Sequence, residues 1–170
     1  MRKAKEVSLC AVMTALALAL AWTERFLPLQ AMVGLPGIKL GLANTVTMLA
    51  LCILKKRYAL WILLARCVLG AVFGGGITGL AFSRTGGLLA LAVMALAMRA
   101  NSLSLYGISV LGAAAHNIGQ ILAAMVLMSS PYVAAYLPYL LLAAVVTGLL
   151  NAGLCAGVLR VLPVRKEVAL

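Results

Sequence analysis

The chain has 170 residues, of which 65% are hydrophobic and 10% are charged, and its mean hydropathy is +1.15. A soluble domain carries about 45–50% apolar and about 25% charged residues, so this chain could not cover a water-facing surface. Its composition excludes a soluble globular, a disordered or a nucleic-acid-binding protein, although the net charge is +11. Length and composition together predict a single membrane domain over residues 1–170.

The charged residues exclude several kinds of chemistry. Lys and Arg total 14 against three acids, and there is no aspartate. The chain therefore cannot supply the aspartate pairs that hold magnesium in diphosphate chemistry or in two-metal hydrolysis. One histidine and four scattered cysteines without a CxxC pair do not make a zinc site. We predict a protein that is not an enzyme, with no metal, no cofactor and buried structural thiols.

The hydrophobic runs predict the fold in chain order. A helix needs about 20 apolar residues to cross a bilayer. Basic clusters and Gly or Pro residues divide the chain into six runs of about this length. The predicted fold class is an all-α integral membrane bundle of six transmembrane helices. The predicted spans are residues 7–27, 38–54, 58–73, 77–98, 104–128 and 137–162.

The basic residues predict the orientation of these spans. Basic residues are concentrated in the cytoplasmic loops of membrane proteins. The pattern therefore predicts a multi-pass protein of the cell membrane with both termini in the cytoplasm. A cleaved signal peptide ending near Ala19-Leu20-Ala21 is an alternative for the first run, although that run is long for one. The predicted inner side holds Arg2, Lys3, Lys5, Lys55, Lys56, Arg57, Arg99, Arg160, Arg165 and Lys166, and the outer ends hold Arg25 and Lys39.

Two arginines, Arg66 and Arg84, fall inside predicted spans. A central arginine costs about 2.5–3.5 kcal/mol to insert, so it should face the bundle interior or water. Glu24 is the only carboxylate predicted in the same outer half of the membrane. With Lys39, the two arginines give this half a surplus of positive charge, and a small anionic ligand from the outer side would neutralise it. Alternatively, Arg84 reaches the outer headgroups and Arg66 bonds to backbone carbonyls.

The fifth run carries a polar cluster, His116, Asn117 and Gln120. Residues three and four apart share one face of a helix, so these side chains converge. They could bind the polar edge of a ligand, with Asn44 on the second run as a partner. They could equally join helices, at about 0.6 kcal/mol for each hydrogen bond. Both interpretations stay open from the sequence.

Small residues recur on the first run at Ala11, Ala15 and Ala19. Such a stripe lets another helix approach closely. Packing within the bundle and docking of a partner membrane subunit are both consistent with it. No G-x-x-x-x-G-K-[ST] loop is present, so we expect no ATPase activity from the chain itself.

The runs PGIKLGLANTVTMLAL, GGLLALAVMAL, GAAAHNIGQILAA and YLPYLLLAAVVTGLL resemble the Gx transporter family, also described as heptaprenyl diphosphate synthase component I. The resemblance covers about residues 8–160, and PGIKLGLAN and AHNIGQ are its most specific parts.

The resemblance implies similarity to the S components of energy-coupling-factor importers. Those proteins have six helices, cytoplasmic termini and a substrate cavity near the outer face. Small residues on their first helix, here Ala11, Ala15 and Ala19, dock on a coupling transmembrane subunit that two ATPases drive. The synthase description implies instead an accessory membrane subunit of polyprenyl diphosphate or quinone synthesis. Flavin phosphates and prenyl diphosphates both fit the expected anionic ligand.

Overall fold

A computed structural model describes residues 2–26, 41–100 and 102–161. Within these ranges every regular element is helical, which confirms the predicted all-α membrane bundle. A π-helical turn, Ala71–Gly75, follows α3, and a short 3₁₀ helix, Pro131–Tyr136, precedes α6. The helices are α1 (Arg2–Phe26), α2 (Leu42–Ile53), α3 (Lys56–Gly70), α4 (Gly76–Ala97), α5 (Leu105–Leu127) and α6 (Leu137–Val161).

The helices follow the predicted spans closely in position. Four stretches in the described part of the chain are long and apolar enough to cross a membrane, and one of them runs continuously from α3 through α4. The helix α2 is shorter, at 12 residues, because it begins only at Leu42, after Gly41 in the left-handed conformation. A count of six spans and a cytoplasmic position for both termini remain predictions.

A glycine-rich break separates α3 from α4. Gly74 has φ 101° and Gly76 has φ 60°, a backbone region that side chains other than glycine rarely adopt. Phe73, just before them, also leaves helical geometry with ψ 36°. The sequence Gly74-Gly75-Gly76 therefore turns the chain, and the predicted end of the third run is correct.

The helix α2 occupies the centre of the bundle. Eight of its 12 residues are buried, from Ala43 and Thr45 through Leu51. It contacts α1, α3, α4 and α6. Nine of its 12 residues are apolar, as expected for a helix at such a buried position.

The helices α4, α5 and α6 pack through glycines. A Cβ atom added at Gly119 of α5 would lie 2.7 Å from the Cα atom of Gly86 on α4. A Cβ atom added at Gly148 of α6 would lie 2.6 Å from the Cα atom of Val110 on α5. The Ser109 hydroxyl also donates a hydrogen bond to the Gly148 carbonyl at 2.7 Å. The backbones of these three helices therefore approach as closely as small residues allow.

Candidate functional site

Arg66 lies on α3 in the bundle interior, with 9% of its surface exposed. Its Nη2 atom donates a hydrogen bond to Oδ1 of Asn44 on α2 at 3.0 Å. Its Nε atom is buried and has no hydrogen-bond partner within the described ranges. A Cβ atom added at Gly87 of α4 would lie 2.6 Å from Cδ1 of Leu63 and 3.5 Å from Nη2 of Arg66, so this glycine makes room for Leu63, and the guanidinium lies in ordinary contact with it. The predicted interior position of Arg66 is confirmed.

Glu24 lies at the same end of the bundle, near the end of α1. Its Oε1 atom accepts a hydrogen bond from the backbone N–H of Gly41 at 2.6 Å. Its carboxylate is also close enough to Arg66 to stabilise the guanidinium charge. A carboxylate is well placed there because Gly41 directly precedes α2, and helix N-termini attract negative charge.

Asn151 on α6 completes this polar cluster, and the sequence analysis missed it. Thr45 donates a hydrogen bond from Oγ1 to Oδ1 of Asn151 at 2.8 Å. Asn151 in turn donates from Nδ2 to the carbonyl of Gly41 at 3.3 Å. An isolated asparagine inside an apolar run was the available signal, because such residues in membrane helices usually face the bundle interior.

The other predicted basic contacts lie in different places. Arg84 is exposed on α4, and its charge interacts electrostatically with Cys67 of α3. It has no hydrogen-bond partner within the described part of the chain. Lys39 falls in residues 27–40, outside the described residues. The structure therefore brings Arg66 and Asn44 together and leaves Arg84 at the surface of the protein.

The polar cluster of α5 lies between α4 and α6. His116 is 8% exposed, and its ring would lie 2.9 Å from a Cβ atom added at Gly86. Asn117 donates a hydrogen bond from Nδ2 to the carbonyl of Leu140 on α6 at 2.7 Å. Gln120 is 8% exposed and forms no hydrogen bond with another described residue. Asn117 thus joins two helices, whereas the Gln120 amide is unpaired within the described residues.

The alanine stripe of α1 faces away from the bundle. Ala11, Ala15 and Ala19 are exposed, whereas Met13 and Ala17 on the other side of the helix are buried. Packing within the bundle therefore does not account for the stripe, although the lipid bilayer would cover the same face. The structure leaves it accessible to a partner helix.

The described residues hold no group of three or more His, Cys, Asp or Glu side chains that could bind a metal ion. The four cysteines are free thiols. Cys67 and Cys155 are buried, and Cys10 and Cys52 are partly buried.

Comparison with known proteins identifies the family of this chain. Neither the curated proteins nor the solved structures include a match to this sequence. The model of one protein family, described as heptaprenyl diphosphate synthase component I, matches residues 13–159. This match spans most of the chain and both of the sequence's most specific runs, so the protein belongs to the heptaprenyl diphosphate synthase component I family.

Proposed function

We propose that this protein is the substrate-binding membrane subunit of an importer of the energy-coupling-factor type, and that it captures a small anionic ligand from the outer side. The observation that carries the proposal is that Arg66 is buried with most of its hydrogen-bond donors unused. A guanidinium has five N–H donors, and the side chain of Arg66 is buried with one hydrogen bond, to Asn44. Burying a charge with unused donors is costly, and a bound anion would satisfy them.

The surface of α1 supports the importer part of the proposal. Ala11, Ala15 and Ala19 are exposed on one face, and small residues permit the closest approach of a second helix. The coupling subunit would dock on this face, and its ATPases would supply the energy for transport. Ligand binding and docking then use different sides of the molecule.

Ligand capture is tested with two matched pairs of compounds. Flavin mononucleotide is compared with riboflavin, and heptaprenyl diphosphate with heptaprenol, on the purified protein in lipid nanodiscs. We expect the anionic member of at least one pair to bind at least about tenfold more tightly than its neutral partner, a difference of ~1.4 kcal/mol. Equal binding of both members in both pairs would remove charge recognition from the proposal.

Partner docking is tested by co-purification from the native membrane in a mild detergent. We expect a coupling membrane subunit with two ATPases to accompany the wild-type protein. Ala15→Trp should abolish this association and leave ligand binding intact. Leu122→Trp places the same side chain at an exposed apolar position of α5 and serves as the control. Normal assembly of Ala15→Trp would show that α1 is not the docking face.

The family supports a second candidate function, an accessory membrane subunit of polyprenyl diphosphate synthesis. The chain lacks aspartate, so the catalytic magnesium site would belong to a soluble partner. Co-purification of an aspartate-rich prenyl synthase, without a coupling subunit, would establish this role instead. The buried arginine would then bind a prenyl diphosphate.

A further inference from the structure

The N-terminus of α2 is half-buried at Gly41 and Leu42, and Gly41 has no side chain that could cap it. Gly41 precedes the helix in the left-handed conformation, with φ 69°. The backbone N–H groups of Leu42 and Ala43 have no acceptor within the described ranges. The first N–H groups of a helix lack partners in the helix itself, and the helix dipole gives this end a partial positive charge. The end of α2 is therefore suited to a negatively charged oxygen.

Arg66 reaches the same helix end from α3 and is an independent indication of a ligand. It donates from Nη2 to the side chain of Asn44, the third residue of α2. Its buried Nε atom has no partner within the described part of the chain. The guanidinium and the first turn of α2 thus present unused donors from two separate helices.

We propose that the first turn of α2 and the guanidinium of Arg66 form a binding site for one oxyanion of the ligand, either a carboxylate or a phosphate. The site deepens the proposed function, on which it rests, by assigning the group that the ligand presents to the protein. The backbone N–H groups of Leu42 and Ala43 contact one side of the oxyanion. Arg66 contacts the other side and supplies the full positive charge.

Glu24 adjusts the affinity of this site. Its carboxylate accepts the N–H of Gly41, next to the two free N–H groups, and stabilises the charge of Arg66. In the absence of ligand, Glu24 partly neutralises the buried guanidinium. When an oxyanion binds, the same carboxylate repels it, because like charges at short distance destabilise each other. The site therefore binds its anion more weakly than Arg66 and α2 would without Glu24.

Among the described residues, Arg84 is a further cation on a helix packed against α3. Arg84 is exposed on α4 and interacts with Cys67, one residue beyond Arg66. The carbonyl of Gly41 already accepts hydrogen bonds from Asn44 and Asn151. The acceptor at the start of α2 is thus occupied, while the donors beside it are unused.

The test uses the purified full-length protein with inorganic phosphate and acetate as probes. Thermal unfolding is followed at increasing probe concentration and constant ionic strength, with chloride as the balancing anion. A probe that binds only the folded state stabilises it by RT ln(1 + [L]/Kd), so the unfolding temperature rises with probe concentration. Stabilisation by phosphate alone would assign a phosphate group, and stabilisation by acetate as well would include carboxylates. Stabilisation by neither probe would overturn the site.

Two substitutions with opposite expected effects on anion affinity test the roles of Arg66 and Glu24. Arg66→Gln should weaken binding of the stabilising probe by about tenfold or more. Glu24→Gln keeps an acceptor for Gly41 and removes the charge, so it should strengthen binding by about two- to fivefold. Arg57→Gln makes the same change at the other, exposed end of α3 and should leave the affinity unchanged. Unaltered binding by both Arg66→Gln and Glu24→Gln would refute the proposal.

A double variant covers the case in which Arg66→Gln does not fold, since that substitution removes a buried charge with which Glu24 interacts. Glu24→Gln with Arg66→Gln removes both charges together, and we expect it to fold and to lose the response to phosphate and acetate. Retention of that response would overturn the site. Binding that depends on Arg66, without any co-purifying coupling subunit, would keep the oxyanion site and reject the importer. Assembly with that subunit, without anion binding, would keep the importer and reject the oxyanion site.

Discussion

The half of the bundle formed by α4, α5 and α6 is held together differently from the half formed by α1, α2 and α3. In the first half, Gly86 and Gly119 bring two backbones into direct contact. In the second half, polar side chains join the helices, with Glu24 bonded to Gly41 and Arg66 bonded to Asn44. Backbone contact leaves no room for a ligand, whereas polar side chains with unused donors can bind one.

This difference also distinguishes two sets of polar residues that both fall inside predicted membrane spans. His116 and Asn117 belong to the glycine-packed half, where Asn117 donates to a carbonyl of α6. Arg66 belongs to the polar half, where its Nε atom is unused. A polar residue inside a predicted span can therefore join two helices, as Asn117 does, or keep an unused donor, as Arg66 does.

The largest effect is expected from filling the glycine contact. In Gly119→Ala the new methyl group would meet the backbone of Gly86, which cannot move aside as a flexible side chain would. We expect the free energy of unfolding to fall by about 1–3 kcal/mol. Thermal unfolding in detergent measures this, with Gly153→Ala as the control because a Cβ atom there meets nothing within 4 Å. Equal stability of the two variants would contradict the close packing of α4 and α5.

Asn44→Ala tests the polar half. Asn44 accepts the Nη2 hydrogen bond of Arg66 and so holds the guanidinium at the end of α2. Loss of the Asn44 side chain should weaken anion binding by about tenfold, or ~1.4 kcal/mol. The anion used is inorganic phosphate or acetate, whichever stabilises the wild-type protein. Thr47 on the same helix bonds only to the Ala43 carbonyl of α2 itself, so Thr47→Ala is the control. Comparable losses in both variants would indicate a general disturbance of α2.

Asn117→Ala is expected to change stability more than binding. It removes one hydrogen bond between α5 and α6, and such bonds contribute about 0.6 kcal/mol on average in a membrane protein. Thermal unfolding should show this small decrease, and the anion affinity should change less than in Asn44→Ala. A tenfold loss of affinity would instead place the polar face of α5 in the binding site.

A small, salt-dependent effect is expected from Arg84→Ala. Arg84 is exposed and bonds to no described side chain, so it acts on a bound anion only through its charge. Interactions between exposed charges contribute about 0.2–1 kcal/mol, which corresponds to an affinity loss of about fivefold at most. The loss should shrink in titrations at higher ionic strength. A tenfold loss that persists at high salt would show direct contact between Arg84 and the ligand.

Much of the site's composition follows from the sequence, although its assembly does not. The cost of placing a charge in a membrane was enough to single out Arg66 and to name Glu24 as its carboxylate neighbour. The role of Asn151 was missed because its partners, Thr45 and Gly41, are more than 100 residues away in the chain. A hydrogen bond of that sequence separation leaves no local pattern.

The sequence by itself determined that this is an all-α membrane protein, because the length of apolar runs and the positions of glycine and basic residues act locally along the chain. Only the tertiary structure decided which polar residues meet. It placed Arg66 at the start of α2, left Arg84 exposed and turned the Ala15 face of α1 outward. The physical reason is that burial and hydrogen bonding depend on how helices rotate and pack against one another, which the composition of each helix does not fix.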